Sequence, residues 1–371
     1  MKNSSHRAES GFTLIELLIV LVFISILSSV GIGYYFNYYR QTILKSAAET
    51  VGSFLYVVQQ KSIGQEETSQ WGVHFENPIG TDKPFYASFK GATYAAPVEK
   101  IFLDNALDFE YPADGTSVDI VFNKITGKPS DNAYKKVYLK LASGEGAKGI
   151  RVTPTGVISV DDAEIGWWKM DEGSGTLAID SSIYRSNAAF TGSPIWNTEA
   201  NCRGSGKCLT FSSGNYLTIG DVPQLKITGN QTIAMWLRPT SFATRQNPYA
   251  KAYGGEGTIT QEPSGNFNYY YGTGGGNTSP YQGFGSGTIT INQWSHIALV
   301  RDLTAMKLYW YINGKLSTTT NASYPAAVVS TLPAYIGHGY TTDYVGEIDD
   351  VRVYDRALSA AEIARIYELT R

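Results

Sequence analysis

The 371-residue sequence predicts two unlike folded units in series: an α+β unit raised on one long N-terminal helix, then an all-β antiparallel sandwich. Three observations carry this reading. Residues 12–33 are almost wholly apolar and run into a segment of helical period, so one helix extends from about 12 to about 63. From residue 71 to residue 160 the period changes to two. Beyond 166, strand-like runs recur at roughly 10–15-residue spacing between Gly, Asn and Pro turns. The composition agrees. With 43% hydrophobic and only 17% charged residues the chain cannot be mostly disordered, and 38 Gly and 26 Tyr suit turn-rich β-structure. A net charge of −3 without any Lys/Arg block excludes a phosphate-neutralising surface, so no nucleic-acid partner is expected.

The helix comes first. Residues 1–11 are polar, with Lys2 and Arg7. FTLIELLIVLVFISILSSVGIG follows, from Phe12 to Gly33. About 20 apolar residues at 1.5 Å each cross a ~30 Å hydrocarbon layer. Tyr34, Tyr35, Phe36, Tyr38, Tyr39 and then Arg40 mark the far interface. No small-residue cleavage site follows the apolar run, so the helix stays attached. Its one charge is Glu16. An intramembrane carboxylate costs on the order of 2.5–3.5 kcal/mol and needs a partner. Further on, Ile43, Leu44, Ala47, Ala48, Val51, Phe54, Leu55 and Val58 form one stripe, with Lys45, Glu49, Gln59 and Lys61 turned away. Gly64 reads as the left-handed stop.

The junction GFTLIE, Gly11 to Glu16, resembles the leader-cleavage signal of type IV pilins and pseudopilins. That resemblance implies a leader of 1–11, cut after Gly11 by a membrane prepilin peptidase, and methylation of the new N-terminal Phe12. It implies that 12–33 spans the bacterial inner membrane once and later lies in the core of an extracellular filament. Glu16 would then pair with the N-terminal amine of a neighbouring pilin or pseudopilin subunit, fixing register. Many major pilins carry Pro where this chain has Gly33; Gly31 and Gly33 still weaken the helix there, at about 1 kcal/mol each against Ala.

The next unit, 34–160, alternates in WGVHF (71–75), PFYASF (84–89), KIFL (100–103), LDFEY (107–111), SVDIVFN (117–123), KKVYLKL (135–141) and GVISV (156–160). The helix would pack on one antiparallel sheet. Strand order and the closing TPTGVISV resemble H-type minor pseudopilins, implying a pilin-like domain. His74 stands alone in a strand and reads as a surface or partly buried residue.

Residues 161–165 are polar and acidic and read as a linker. After them KCLTF (207–211), NYLTIG (215–220), QTIAMWLRP (231–239), GTITQ (257–261), NFNYYYG (266–272), TITI (288–291), WSHIALVR (294–301), MKLYWYINGKL (306–316), AYIG (334–337) and EIDDVRVYDRAL (347–358) read as strands. Asn313-Gly314 is a hairpin turn signal. SAAEIARIYEL (359–369) reads as a helix with Ile363, Ile366 and Leu369 on one side. The segments WKMDEGSG, GKCLTF, TIAMWLRP, WSHIALVRD, LYWYINGKL and GEIDDVRVYDRALSAAEI resemble the concanavalin A-like, laminin-G-like jelly roll. The resemblance implies a jelly-roll sandwich over 166–371. That fold carries sugar binders, protein binders and glycosidases alike.

Cys202 and Cys208 flank RGSGK, and no His or further Cys supports a metal site. A disulfide fits an exported location, with two free buried thiols as the alternative. Glycosidases on this scaffold use paired carboxylates in the pattern E-x-D-x-E or E-x-D-x-x-E. Here Glu347-Ile348-Asp349-Asp350-Val351-Arg352 lacks the final Glu, so no enzyme is expected. The DSSIYRSN loop resembles a calcium loop of the family, with Ile183 where Gly is usual. It implies one structural calcium held by Asp180, Asn187 and Asp349 or Asp350, and an Asx-turn without metal is the other reading. Tyrosines among small polar residues give rigid contact area. Tyr249, Tyr253, Tyr270 and Tyr281 are the candidate ligand-binding residues, unless they fill the sandwich. The reading is a minor pilin or pseudopilin of a type IV pilus or type II secretion-like filament that displays a carbohydrate- or protein-binding module for adhesion. A purely structural subunit of a secretion or DNA-uptake machine is the alternative, and a surface glycosidase is the third.

Overall fold

The computed structural model describes residues 39–371 apart from 41, 144–145, 162–163, 183, 198–201 and 204–205. The expected leader and membrane span, with Gly11, Phe12 and Glu16, lie outside the described residues. Among the described residues, no helix is long and apolar enough to cross a membrane.

Helix α1 covers 42–63. Its 3–4-spaced Leu44, Ala48, Val51, Leu55 and Val58 are buried, the outcome expected of an amphipathic stripe. The N–H of Gly64 still bonds back to the Gln60 carbonyl at 2.8 Å. The left-handed residue that ends the helix is Gln65, at φ 52°, one position later than the sequence implied.

Eight strands follow: β1 (Trp71–Asn77), β2 (Phe85–Lys90), β3 (Glu99–Phe102), β4 (Leu107–Tyr111), β5 (Thr116–Phe122), β6 (Lys135–Leu141), β7 (Ala147–Val152) and β8 (Ile158–Asp161). The single expected sheet is two, in the orders β3-β2-β1-β5 and β4-β6-β7-β8. Both supply the core under α1, through Trp71, Val73 and Phe75 from the first and Phe109, Leu139 and Ile150 from the second.

The second unit contains β9 (Gly166–Trp168), β10 (Leu177–Ala178), β11 (Ala188–Thr191), β12 (Ile195–Asn197), β13 (Cys208–Phe211), β14 (Tyr216–Gly220), β15 (Gln231–Pro239), β16 (Gln246–Ala252) and β17 (Gly257–Gln261). It continues with β18 (Asn266–Gly272), β19 (Tyr281–Thr288), β20 (Ser295–Asp302), β21 (Lys307–Ile312), β22 (Lys315–Asn321), β23 (Ala334–Ile336), β24 (Thr342–Asp343) and β25 (Gly346–Tyr354). One sheet runs β10-β11-β14-β23-β16-β17-β18-β19, with β24 beside β16. The other runs β12-β13-β25-β15-β20-β21-β22, with β9 beside β25. Their facing side chains, among them Phe211, Met235, Ile259, Phe267, Trp310 and Ile348, form one core, the layout of a jelly-roll sandwich. TITI is not a strand; the glycine-rich β19 takes that place. A Cβ on Gly283 would sit 2.8 Å from the Tyr270 ring, so the glycine makes room for that ring.

The outer face of the second sheet is closed by helix α2 (Ala360–Thr370). Ser359 and Glu362 form a reciprocal capping box at its start. Ile363 is buried on Ala234, Ala298, Val300 and Tyr354. Leu369 was expected on that side, yet it is 73% exposed. The contact at the last turn is made by Thr370, whose hydroxyl accepts from the Trp236 indole at 2.9 Å.

The two units meet through buried polar groups, and the stretch read as a linker ends inside that contact. Ile165 joins the sandwich core. Glu164 is buried and accepts from the Tyr354 hydroxyl at 3.1 Å. Asp355 pairs with Lys136 and accepts from the Tyr138 hydroxyl at 2.6 Å. Arg356 reaches Glu110 at 3.2 Å and Glu362 at 2.8 Å.

Candidate functional site

α2 covers the outer side of one sheet; the outer side of the other carries loops over its buried central strands β16 and β17, with exposed rings at the rim. Strand alternation sets what lies there. On β18, Tyr269 and Tyr271 point into the core, so Tyr270 points out. Its ring lies 4.8 Å from Tyr253 and 5.7 Å from Tyr281, centroid to centroid. Tyr340 stands 5.6 Å from Tyr253 on the other side. The outermost rings are open to solvent: Tyr340 is 70% and Tyr281 42% exposed. Tyr253 is buried beneath them, and burial pushes its hydroxyl up to about 12, so it stays protonated at neutral pH.

A pinned loop brings Tyr340 to this cluster. The Asn247 side-chain oxygen accepts from the Thr341 backbone N–H at 2.9 Å and from the Thr341 hydroxyl at 2.6 Å. Its amide donates to the Ile259 carbonyl at 3.1 Å. The intervening Gly339 lies flat on the sheet, and a Cβ there would meet Asn247 at 2.5 Å and Ala250 at 2.8 Å. Polar groups border the rings. Arg245 bonds Glu262 at 2.8 Å, and Asn268 donates to Glu262 at 3.0 Å. The arrangement offers flat apolar ring faces edged by amides and hydroxyls. Such a surface grips a ligand that is itself apolar on its faces and polar on its rim.

Of the four tyrosines singled out from the sequence, Tyr253, Tyr270 and Tyr281 gather here. Tyr249 does not. It is 1% exposed, points into the core opposite Ile259 and Ile336, and burial holds its hydroxyl far above the ordinary value. The pairing of β16 shifts register on both sides of it, so a simple alternation count misplaces its face. Tyr340 was missed. The only local signal was a tyrosine in a Gly-rich segment, GHGYTT.

The four residues expected to hold calcium fall into hydrogen-bonded roles. Asp180 is fully buried. Its carboxylate accepts from the N–H groups of Trp167, Ser182 and Ser186 at 2.8–2.9 Å and from the Ser182 hydroxyl at 2.8 Å. The Asn187 oxygen accepts from the Asp180 N–H at 3.0 Å. Asp349 pairs with Arg203 at 3.0 Å. Asp350 accepts from the Trp167 indole at 2.6 Å and from Arg352 at 3.1 Å. Among the described residues, no three of His, Cys, Asp or Glu gather as a metal would need. Four donors already converge on Asp180 and arginines sit beside the aspartates, so the donor set does not fit a cation. The Asx-turn alternative describes this loop.

Asp349 and Asp350 share the outer side because Asp350 takes a left-handed φ of 49° at a bulge, where β25 shifts register against β15. Burial, with Asp350 and Asp171 nearby and Arg203 opposing, pushes Asp349 up to about 7. Glu347, the other carboxylate of that segment, is paired with Arg238 at 3.0 Å. Cys202 and Cys208 form a disulfide, with Cα atoms 5.5 Å apart.

Residues 211–364 match the concanavalin A-like lectin/glucanases superfamily. Residues 6–32 match the prokaryotic N-terminal methylation motif. No protein of curated function matches the chain in sequence. Among solved structures, domain 4 of AbnA, a GH43 extracellular arabinanase from Geobacillus stearothermophilus in complex with arabinotriose, is similar at 18% identity and a TM-score of 0.44, over 56% of this chain and 98% of that one. The binding domain of Paraclostridial Mosquitocidal Protein 1 is similar at 12% identity and a TM-score of 0.47, over 56% of this chain and 52% of that one. The botulinum neurotoxin serotype G binding domain is similar at 18% identity and a TM-score of 0.43, over 56% and 51%. The chain thus spans about half the length of these two toxin domains.

Proposed function

We propose that this chain is a minor subunit of a type IV pilus or type II secretion-like filament, and that its sandwich binds glycan without cleaving it. The observation that carries the binding half is the cluster of Tyr253, Tyr270, Tyr281 and Tyr340 on the sheet opposite α2, with Tyr281 and Tyr340 exposed. The methylation motif supports the assembly half. The motif also supports processing by prepilin peptidase at Gly11, an inner-membrane stage, and a final place on the cell surface. A sandwich of some 200 residues on every subunit would crowd a filament, which favours a minor role. Pairing of Glu347 and Asp349 with arginines favours binding over hydrolysis. A second reading, a structural cap on the filament, is favoured by the ion pairs that fasten the sandwich to the α1 unit.

The test uses cells and full-length protein in detergent. Gly11→Leu should leave the leader uncut and empty the sheared surface fraction of the subunit. Glu16→Ala should remain membrane-inserted, since the cost of burying a charge is removed, yet enter filaments poorly. Tyr281→Ala/Tyr340→Ala should lose glycan binding in an array while filament entry is kept. Normal surface delivery of Gly11→Leu would sink the assembly half, and an array without any wild-type binding would sink the binding half.

A further inference from the structure

We propose that a second aromatic group on the same face, Tyr216, Tyr335 and His338, forms a distant subsite, and that the two groups together receive one chain of several neutral sugar rings. This deepens the glycan reading above and rests on it.

The second group is built as firmly as the first. The Tyr216 and His338 rings stack at 4.0 Å with 12° between planes. Tyr335 meets His338 edge-on at 4.8 Å and 88°. His338 is held by Asp343, which also accepts from the Gly214 N–H at 2.7 Å. The face is the same one. Leu217, Ala334 and Ile336 point into the core, so Tyr216 and Tyr335 point out. All three rings are half-buried, with edges left to solvent.

The sheet register measures the separation. Tyr335 lies opposite Ala250, Ala250 opposite Thr258, and Thr258 opposite Tyr270. That row crosses three strand spacings, or ~14 Å. One sugar ring cannot reach from Tyr335 or Tyr216 to Tyr270 or Tyr281; a chain of rings can. The side chains between them, Ala250 and Thr258, are small and lie buried beneath the 338–340 segment, so a ligand chain would pass over that segment rather than on the sheet itself. The pinned loop crosses this floor at Gly339 and supplies a ring to each group, His338 to one and Tyr340 to the other. Charge selects the ligand class. Arg245 is paired with Glu262 and Lys251 with Asp221, at 2.8 and 2.6 Å. Both cations of β16 and its entry are already paired with carboxylates, which favours a neutral ligand over a carboxylated sugar.

The experiment is titration calorimetry of full-length protein in detergent with cello-, xylo-, malto- and galacto-oligosaccharides of graded length, and with oligogalacturonate. Affinity for the neutral series should step up once the chain can span both groups. Each added aromatic contact corresponds to roughly 3- to 10-fold. Tyr216→Ala should erase that step. Tyr216→Phe should keep it, showing that the fold is intact. Tyr281→Ala should weaken every length. A length step that survives in both Tyr216→Ala and Tyr335→Ala, or a preference for oligogalacturonate, would overturn the inference while leaving the glycan reading in place. Wild-type protein that binds no sugar of any length would overturn both.

Discussion

The side-chain oxygen of Asn247 receives both the N–H and the hydroxyl of Thr341, residues 94 apart in sequence. Asn247 is wholly buried, so this amide ties down the middle of the 338–343 loop, whose far end is held by the pairing of β24 with β16 and by the Thr342 bonds to the Arg245 carbonyl. The placement of Tyr340 over Tyr253 depends on the Asn247 amide.

Asn247→Ala should therefore cost about 2 kcal/mol of stability, the penalty for leaving buried donors and acceptors unpaired. It should cost more in ligand affinity than that figure suggests, since Tyr340 and His338 both lose their positions. Gly339→Ala should have the same affinity effect by pushing the loop off Ala250. Calorimetric melting and sugar titration measure the two quantities, and unchanged affinity in both variants would refute the pin.

Asp355→Ala should loosen the sandwich from the α1 unit. Burial works to raise this carboxyl, but Lys136 and the Tyr138 hydroxyl outweigh it and hold it below the ordinary range. A lowered folded value means the contact adds stability above the usual carboxylate range and loses it as pH falls below about 4. Breaking the pair should cost about 3 kcal/mol, near the low end for buried pairs because Lys136 is 34% exposed. Limited proteolysis between 161 and 165 should become fast in the variant. An Asp355→Ala variant as resistant to cleavage there as the wild type would count against the docked arrangement.

Asp349 titrates with the opposite sign. Its folded value is raised to about 7, so the native state keeps a proton that the unfolded chain has already lost. Its contribution is fully present below about pH 4 and disappears as pH rises through 7. Asp349→Asn should flatten that part of the stability profile, read from urea midpoints at pH 5 and pH 8. An equal slope in the variant would assign the dependence elsewhere.

The Cys202–Cys208 bridge closes a short loop. In the chain-entropy account such a loop stabilises by about 2–3 kcal/mol, so reduction or the double Cys→Ala variant should lower the melting temperature by roughly 5–10 °C. A shift under about 1 °C would mean the unfolded chain gains little freedom when the bridge is lost.

Strong alternation made much of the fold legible. QTIAMWLRP, GTITQ and NFNYYYG are strands with the boundaries their patterns imply. Elements failed to show where a tertiary partner supplied what the pattern lacked. β7 carries Arg151, fully buried yet bonded to the Glu164 carbonyl at 3.1 Å and to Tyr138 at 3.2 Å, so its sequence looks solvated. β16 opens with Gln246, Asn247 and Pro248, which read as a turn. Its Gln246 and Asn247 side chains hold Val345 and Thr341 instead. The site was half visible. Tyr270 and Tyr281 announce themselves by composition, but Tyr340 joins them only through Asn247, and Asp350 faces outward only because of a bulge. Neither depends on a nearby residue type.

The docking of the sandwich also has a mechanical side. A domain on a loose tether can trail behind any pull and turn to face it. Here Ile165 is already in one core and Val152 and Ile150 of the preceding strands in the other. The few residues between Asp161 and Glu164 offer ~10 Å of slack at most, at about 3.3–3.6 Å per residue. Asp355 and Arg356 fasten the sandwich to the α1 unit as well. The tyrosine face therefore has a fixed aim relative to α1. On the glycan-binding filament subunit proposed above, tension on a bound sugar would pass as torque into the α1 unit, and the angle at which the filament meets its target would be set at folding.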